Sequence, residues 1–161
     1  MRIIAIDPGY ERVGIAVIET NNSGDSLLFS TCFKTDKKNP FEKRLLQIGR
    51  EISSVIHAYK PTILAIETLF FNSNKTTAIK VSEARGVIIF QSVILGLELC
   101  EYTPLQVKIA LTGYGRATKD QVNTMVRNII HVNKEDIIDD EIDAIAIGLT
   151  CSASYNSKQN I

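Results

Sequence analysis

Four acidic residues stand out by where they fall. Asp7 closes the apolar run IIAID, and Glu67 closes the apolar run ILAIE. Asp140 and Asp143 lie three apart in DDEIDAIAIGLT, a spacing that puts both on one face of a helix. Acids at the carboxyl ends of neighbouring strands project at one rim of a sheet, where ligands of open α/β folds gather. The small apolar run AIAIGL behind Asp143 lets its helix pack tightly and bring both acids to that rim, with Asp139 and Glu141 pointing elsewhere. Four carboxylates meeting with no lysine or arginine among them repel and raise each other's pKa. Divalent cations remove that conflict. An oxygen-only donor set suits Mg²⁺ or Mn²⁺ and not zinc. Four acids can hold two ions about 4 Å apart, an arrangement that activates water and stabilises both oxygens of a phosphodiester displacement. No Ser–His or Cys–His pair competes, since His57 falls on an amphipathic stretch and His131 at a helix end, both surface positions.

The elements that must carry these acids read as a mixed α/β domain. RIIAID is apolar on both faces, as a central strand should be. VGIAVIET follows the turn PGYER, and SLLFSTCFKT follows the turn formers NNSGDS, so the three strands form an antiparallel meander. Pro40 suits the first turn of a helix, and apolar residues then recur at 41, 45, 48, 52, 55, 56 and 59. TILAIE is a fourth strand. The polar stretch NSNKTT leads into a helix over about 76–97 whose second half, VIIFQSVILGLEL, is apolar nearly all round. A helix of that kind is covered on every side, which predicts a two-fold partner across it. A short strand CEYTP precedes LQVKIALTG, YGRATK is a loop, DQVNTMVRNII is a helix, and a last helix starts near DDEIDAIAIGLT with acids in its dipole-favoured first turn. The domain spans residues 1–152, and the polar tail 153–161, ending SKQNI, is expected to fray.

Bulk properties narrow the classes. The 161 residues suffice for one domain with a sizeable core, and 45% hydrophobic with 22% charged residues is the balance of a globular protein. No apolar run is long enough to span a membrane. MRIIAIDPG has no cleavage site of the secretory kind, and Cys32, Cys100 and Cys151 form no CxxC pair, so a reducing cytoplasm is expected. Net charge is zero, but residues 71–131 carry a balance of +3 and residues 132–161 one of −4. An acid cluster beside a basic stretch is what a metal site next to a polyanion requires.

Five segments, IAIDPGYERVGIAV, LAIETLFF, KVSEARGV, QVKIALTGYGRATKDQV and DEIDAIAIGL, resemble in order the blocks of the bacterial RuvC family of Holliday-junction resolvases. The resemblance covers roughly residues 1–152, while residues 20–40 and the tail match less closely. It implies an RNase H-like five-stranded mixed sheet flanked by helices, a homodimer, Mg²⁺ dependence, a branch-migration helicase complex as partner, and paired nicking of four-way DNA junctions. By position, Asp7, Glu67, Asp140 and Asp143 match the family's metal-binding catalytic acids. Phe70 matches an aromatic that stacks at the junction, and Lys108 and Lys119 match basic positions near the DNA backbone. Arg116, Lys75, Lys80 and Arg85 are further phosphate-contact candidates on charge and location alone.

Three other readings stay open on the residues. One is an RNase H-like nuclease acting on another structured nucleic acid, such as precursor ribosomal RNA. Another is an actin- or hexokinase-like ATPase, suggested by DPG and Gly14, although that architecture needs two such lobes. The third is a junction-binding module without catalysis.

Overall fold

Unbroken apolarity leaves RIIAID no solvent face, and it forms β1 (Arg2–Asp7), the middle strand of a five-stranded sheet. The computed structural model describes residues 1–69, 75–132 and 137–159. β1 pairs antiparallel with β2 (Arg12–Asn21), which pairs antiparallel with β3 (Gly24–Lys34) across a bulge at Val17/Ile18. α1 (Phe41–Tyr59) leads to β4 (Ile63–Glu67), parallel to β1, and α2 (Lys75–Ile94) leads to β5 (Glu98–Tyr102), parallel to β4. The strand order is β3-β2-β1-β4-β5, the mixed sheet expected. α3 (Pro104–Thr112), α4 (Lys119–Ile129) and α5 (Asp139–Gln159) complete the chain.

Side chains alternate across a strand, and here the alternation separates two cores. Ile3, Ala5, Ala16, Ile18, Ile63 and Ala65 face α3, α4 and α5. Ile4, Ile6, Ile15, Val17, Leu64 and Ile66 face α1 and α2. The same parity puts Asp7, two residues after Ala5, and Glu67, two residues after Ala65, on the α5 side. The α1 stripe works as the periodicity predicts, burying Ile48, Ile52, Val55 and Ile56.

Three boundaries differ from the sequence reading. α2 stops at Ile94, before the expected 97, because Gly96 takes a positive φ of 85° and the N–H groups of Gly96 and Leu97 close on the carbonyls of Val93 and Ser92. Leu97 is then buried as the chain enters β5, two residues earlier than CEYTP suggests. LQVKIALT lies within α3, which Gly113 caps and which opens with a capping box in which Thr103 accepts from the Gln106 N–H and Gln106 reaches back to the Thr103 N–H. α5 continues past residue 152 as far as Gln159, so the segment expected to fray is helical to that point, and Thr20, Ser152 and Asp25 tie its middle to the β2–β3 hairpin.

Candidate active site

Asp7 and Glu67 emerge side by side because β1 and β4 run parallel with Ile6 opposite Ile66. α5 delivers the other two acids. Its start rests directly on β2, where Gly14 pairs with Asp7, and a β-carbon at Gly14 would lie 1.9 Å from the Asp140 carbonyl oxygen and 3.2 Å from the Asp7 β-carbon. Further along the helix, a β-carbon at Gly148 would lie 2.6 Å from Ile18 and 3.1 Å from Ala5. Glycine at both positions is what lets the helix come this close.

The four acids expected to converge do influence one another. Burial first, then the charges of Glu67, Asp143 and Asp140, push Asp7 up to about 7. Burial, then Asp143, push Glu67 up to about 7. Asp143 is also raised, chiefly by burial, although Lys119 pulls the other way.

The expectation that no cation stands among them is overturned. Lys119, at the start of α4, reaches Asp143 at 3.1 Å and Asp139 at 3.3 Å. Burial pulls the Lys119 ammonium down, but its hydrogen bonds to Asp143 and Asp139 raise it overall. Arg12 approaches Asp140 Oδ2 at 3.6 Å, too long for a hydrogen bond. Asp139 therefore shares a cation with Asp143, four residues on, and does not point away. Glu141 does turn elsewhere, accepting from the Ser30 hydroxyl on β3 at 2.7 Å in a buried contact. Cys32, opposite Gly14 on β3, lies against Asp140, and its thiol is raised by burial and then by that carboxylate.

The donor chemistry suits a hard divalent cation. All four acids offer oxygen, and the buried Asp140 Oδ2, with Arg12 beyond hydrogen-bond reach at 3.6 Å, has no hydrogen-bond partner and keeps its lone pairs for a cation. Among the described residues no three acidic, histidine or cysteine side chains lie close enough together to hold a metal ion as they stand. Lys119 and Arg12 stand instead as counter-ions to part of the cluster.

A cleft of about 270 Å³ opens beside these acids, lined by Glu67, Lys108, Lys119, Asp143 and the apolar Val107 and Val122. Two of the basic candidates thus meet two of the acids. Arg116 is exposed in the α3–α4 loop. Lys80 packs over the rings of Tyr10 and Phe41, at 5.4 Å and 5.8 Å from their centres. Arg85 is engaged within the protein, donating to the Glu67 carbonyl and pairing with Glu101. Phe70 and the side chain of Lys75 lie outside the described residues. Sequence reasoning missed Arg12 and Arg44. Arg44 is buried on α1 and bonds the Tyr10 carbonyl and the Thr35 hydroxyl, pinning the turn after Asp7.

The sequence profile of crossover junction endodeoxyribonuclease RuvC matches residues 3–151. The chain belongs to the RuvC family. The RuvC of Desulfitobacterium hafniense is 41% identical over 156 residues, covering 97% of this chain and 94% of that one. The RuvC of Finegoldia magna is 42% identical over 149 residues, covering 92% and 91%. Among solved structures, Thermus thermophilus RuvC superposes with a TM-score of 0.90 at 30% identity, covering 98% of this chain and 97% of that one. The same protein in complex with a Holliday junction substrate superposes with a TM-score of 0.91 at 31% identity, covering 98% and 96%. The RNase H-like mixed sheet expected from the resemblance is therefore the fold of this RuvC family member.

Proposed function

We propose that this protein is a structure-specific endonuclease that resolves four-way DNA junctions by paired, symmetric phosphodiester hydrolysis in recombination and repair. The observation that carries the reading is the juxtaposition of Asp7, Glu67, Asp140 and Asp143 at one rim, in a chain of the RuvC family. The Thermus thermophilus RuvC crystallised with its junction substrate supports the substrate class.

Asp7, Glu67, Asp140 and Asp143 would hold Mg²⁺, two ions per site, with Mn²⁺ as an alternative. Cations bound there supply the Lewis acidity that activates water and stabilises the departing 3′-oxygen. The chain's own residues do the rest. Lys108 and Lys119 line the cleft beside Glu67 and Asp143 and face the incoming phosphate. Lys119, now paired with Asp143 and Asp139, would be the nearer of the two to a phosphate held at those acids. Arg116, Lys75 and Lys80 contact the backbone further out, and Phe70 stacks on bases at the crossover.

Two such sites are needed to cut two strands, and α2 supplies the means to pair them. Phe90, Val93 and Ile94 are 65%, 53% and 64% exposed, and with Gly86 and Ile89 they line an apolar groove. A second copy of the chain covers this face in a two-fold dimer. A branch-migration helicase complex is the further partner. The setting is the cytoplasm, in keeping with three free cysteines; no helix among the described residues is long and apolar enough to cross a membrane.

The deciding experiment supplies a four-way junction, a linear duplex, a nicked duplex and a structured RNA, each with Mg²⁺. Symmetric nicks confined to the junction, leaving 5′-phosphates, are expected. Equal cleavage of the linear duplex or preferential cleavage of the RNA would overturn the reading.

A further inference from the structure

Arg85 lies on α2 immediately before the exposed apolar groove, yet its own side chain is only 17% exposed. An arginine so covered must find partners for its donors. Its Nε donates to the Glu67 carbonyl oxygen at 3.0 Å, and its Nη2 pairs with Glu101 on β5. One guanidinium therefore ties together the carboxyl ends of two adjacent parallel strands. Glu101 stands opposite Ile66, so it faces α2 across the sheet. Glu67 has the other parity and turns its carboxylate toward α5. Arg85 thus grips Glu67 by its backbone, from the face opposite its chemistry. A second main-chain bond, from the Thr68 N–H to the Tyr102 carbonyl at 2.8 Å, holds the same strand end against β5.

We propose that Arg85 is a positioning residue: it fixes the backbone of Glu67 from behind the sheet, and it carries the seating of α2 on a second copy of this chain through to the acid cluster. The second half rests on the dimer reading of the α2 groove. The fork geometry of the guanidinium matters, because Nε and Nη2 are set apart in one rigid plane that reaches a main-chain carbonyl and a carboxylate together, whereas an ammonium is a single point on a flexible stem. The Arg85 side chain is 17% exposed against 57% for Lys119 and is turned to the far face of the sheet, so it is not a contact to DNA phosphate.

The test measures Mn²⁺ binding to the DNA-free protein by electron paramagnetic resonance, alongside junction affinity across a salt series and cleavage. Arg85→Gln is expected to weaken Mn²⁺ binding about tenfold, the usual effect of losing a partner that orients a ligand. Its junction affinity and salt slope should match the parent protein. Arg85→Lys should fall between the two, and Glu101→Gln, which keeps the arginine but loosens it, should shift Mn²⁺ binding in the same direction by less. If Arg85→Gln does not fold, Glu101→Gln carries the test alone. Unchanged Mn²⁺ binding with a salt slope flattened by about one overturns the proposal, because that is the signature of a phosphate contact. Unchanged Mn²⁺ binding with an unchanged slope overturns it too.

Ile94→Asp addresses the coupling. Monomers made this way should bind Mn²⁺ more weakly, and adding Arg85→Gln should cost little more, since both remove the same link. Full additivity overturns the coupling. Should the parent protein itself sediment as a monomer, the dimer reading fails, while the effect of Arg85→Gln on Mn²⁺ still decides the positioning role.

Discussion

Toward α5 the sheet presents Ala5, Ala16 and Ala65 alternating with Ile3, Ile18 and Ile63, whereas toward α1 and α2 it presents large residues throughout, Ile4, Ile6, Ile15, Val17, Leu64 and Ile66. The small-residue face brings a helix against the strand backbone, at Gly14 and Gly148, and all four candidate acids gather on that side. The large-residue face makes a thicker layer, and α2, its outer wall, leaves Phe90, Val93 and Ile94 in the open. The alanines and glycines mark the side where groups meet closely, and the exposed apolar stretch of α2 marks the side that presents surface to a neighbour. Close packing resists change in either direction, but only on the first side does a change also reach the chemistry.

Substitutions that respect this division should give opposite signatures. The largest effect is expected of Asp7→Asn, which keeps the volume and removes an anionic ligand oxygen. Cleavage should fall at least about 100-fold, the scale of losing a principal charge-stabilising group, with junction affinity equal or tighter. A gel-shift titration beside a nicking time course reads both, and more than a few per cent residual turnover at saturating Mg²⁺ removes Asp7 from the catalytic set.

Gly14→Ala adds one methyl on the tight side, where the nearest atom is the Asp140 backbone. It should cost about 1–3 kcal/mol of stability and most of the activity, because α5 must move off Asp7. Urea titration and cleavage together would show this; wild-type activity in a destabilised variant would mean that α5 need not sit so close. On the thick side, Ile94→Asp should leave the fold intact and abolish self-association, producing monomers by sedimentation that lose paired cutting.

Smaller effects concern charge. Lys108→Ala should lower the slope of log affinity against log salt by about one, the change expected when a single lysine no longer neutralises a phosphate, with stability unchanged. Protonation gives the last contrast. Asp7 is raised from 3.8 to about 7, and Glu67 from 4.5 to about 7, so the metal-free fold holds protons that the unfolded chain has released. Between about pH 4 and pH 7 the folded state binds more protons, so stability without metal declines as pH rises through that window. Near pH 7 the pair still holds protons in the metal-free protein, so cation binding should release protons, on the order of one. Calorimetry in two buffers of different ionisation enthalpy measures that number, and a value near zero would mean the acids are already ionised.

What could be read from the chain was whatever depends on neighbours in sequence. Asp7 and Glu67 are legible because each ends an apolar run, and Asp140 with Asp143 because i,i+3 spacing places them. The strands and α1 follow from periodicity. α2 overran in the reading because Leu95 and Leu97 continue its apolar pattern, while Gly96, between them, turns the backbone left-handed. The capping pairs Thr103–Gln106 and Thr118–Gln121 were present as a short signature and locate both helix starts. Lys119 and Arg12 gave no such sign. They reach the acids from α4 and β2 by long side chains, and only the assembled fold brings those starts to the same rim. Arg85 was legible as a charge but not as a clamp, because its partners lie 18 and 16 residues away on two strands.

The position of α5 in the chain has a consequence for the protein during its own synthesis. Every strand leaves the ribosome before it, so until α5 arrives the face of Ile3, Ala5, Ala16, Ile18, Ile63 and Ala65 has only α3 and α4 to cover it. Until Asp139–Gln159 emerges, Asp7 and Glu67 wait without Asp140 and Asp143. One late helix therefore completes that core and brings the second pair of candidate acids to the first in the same step.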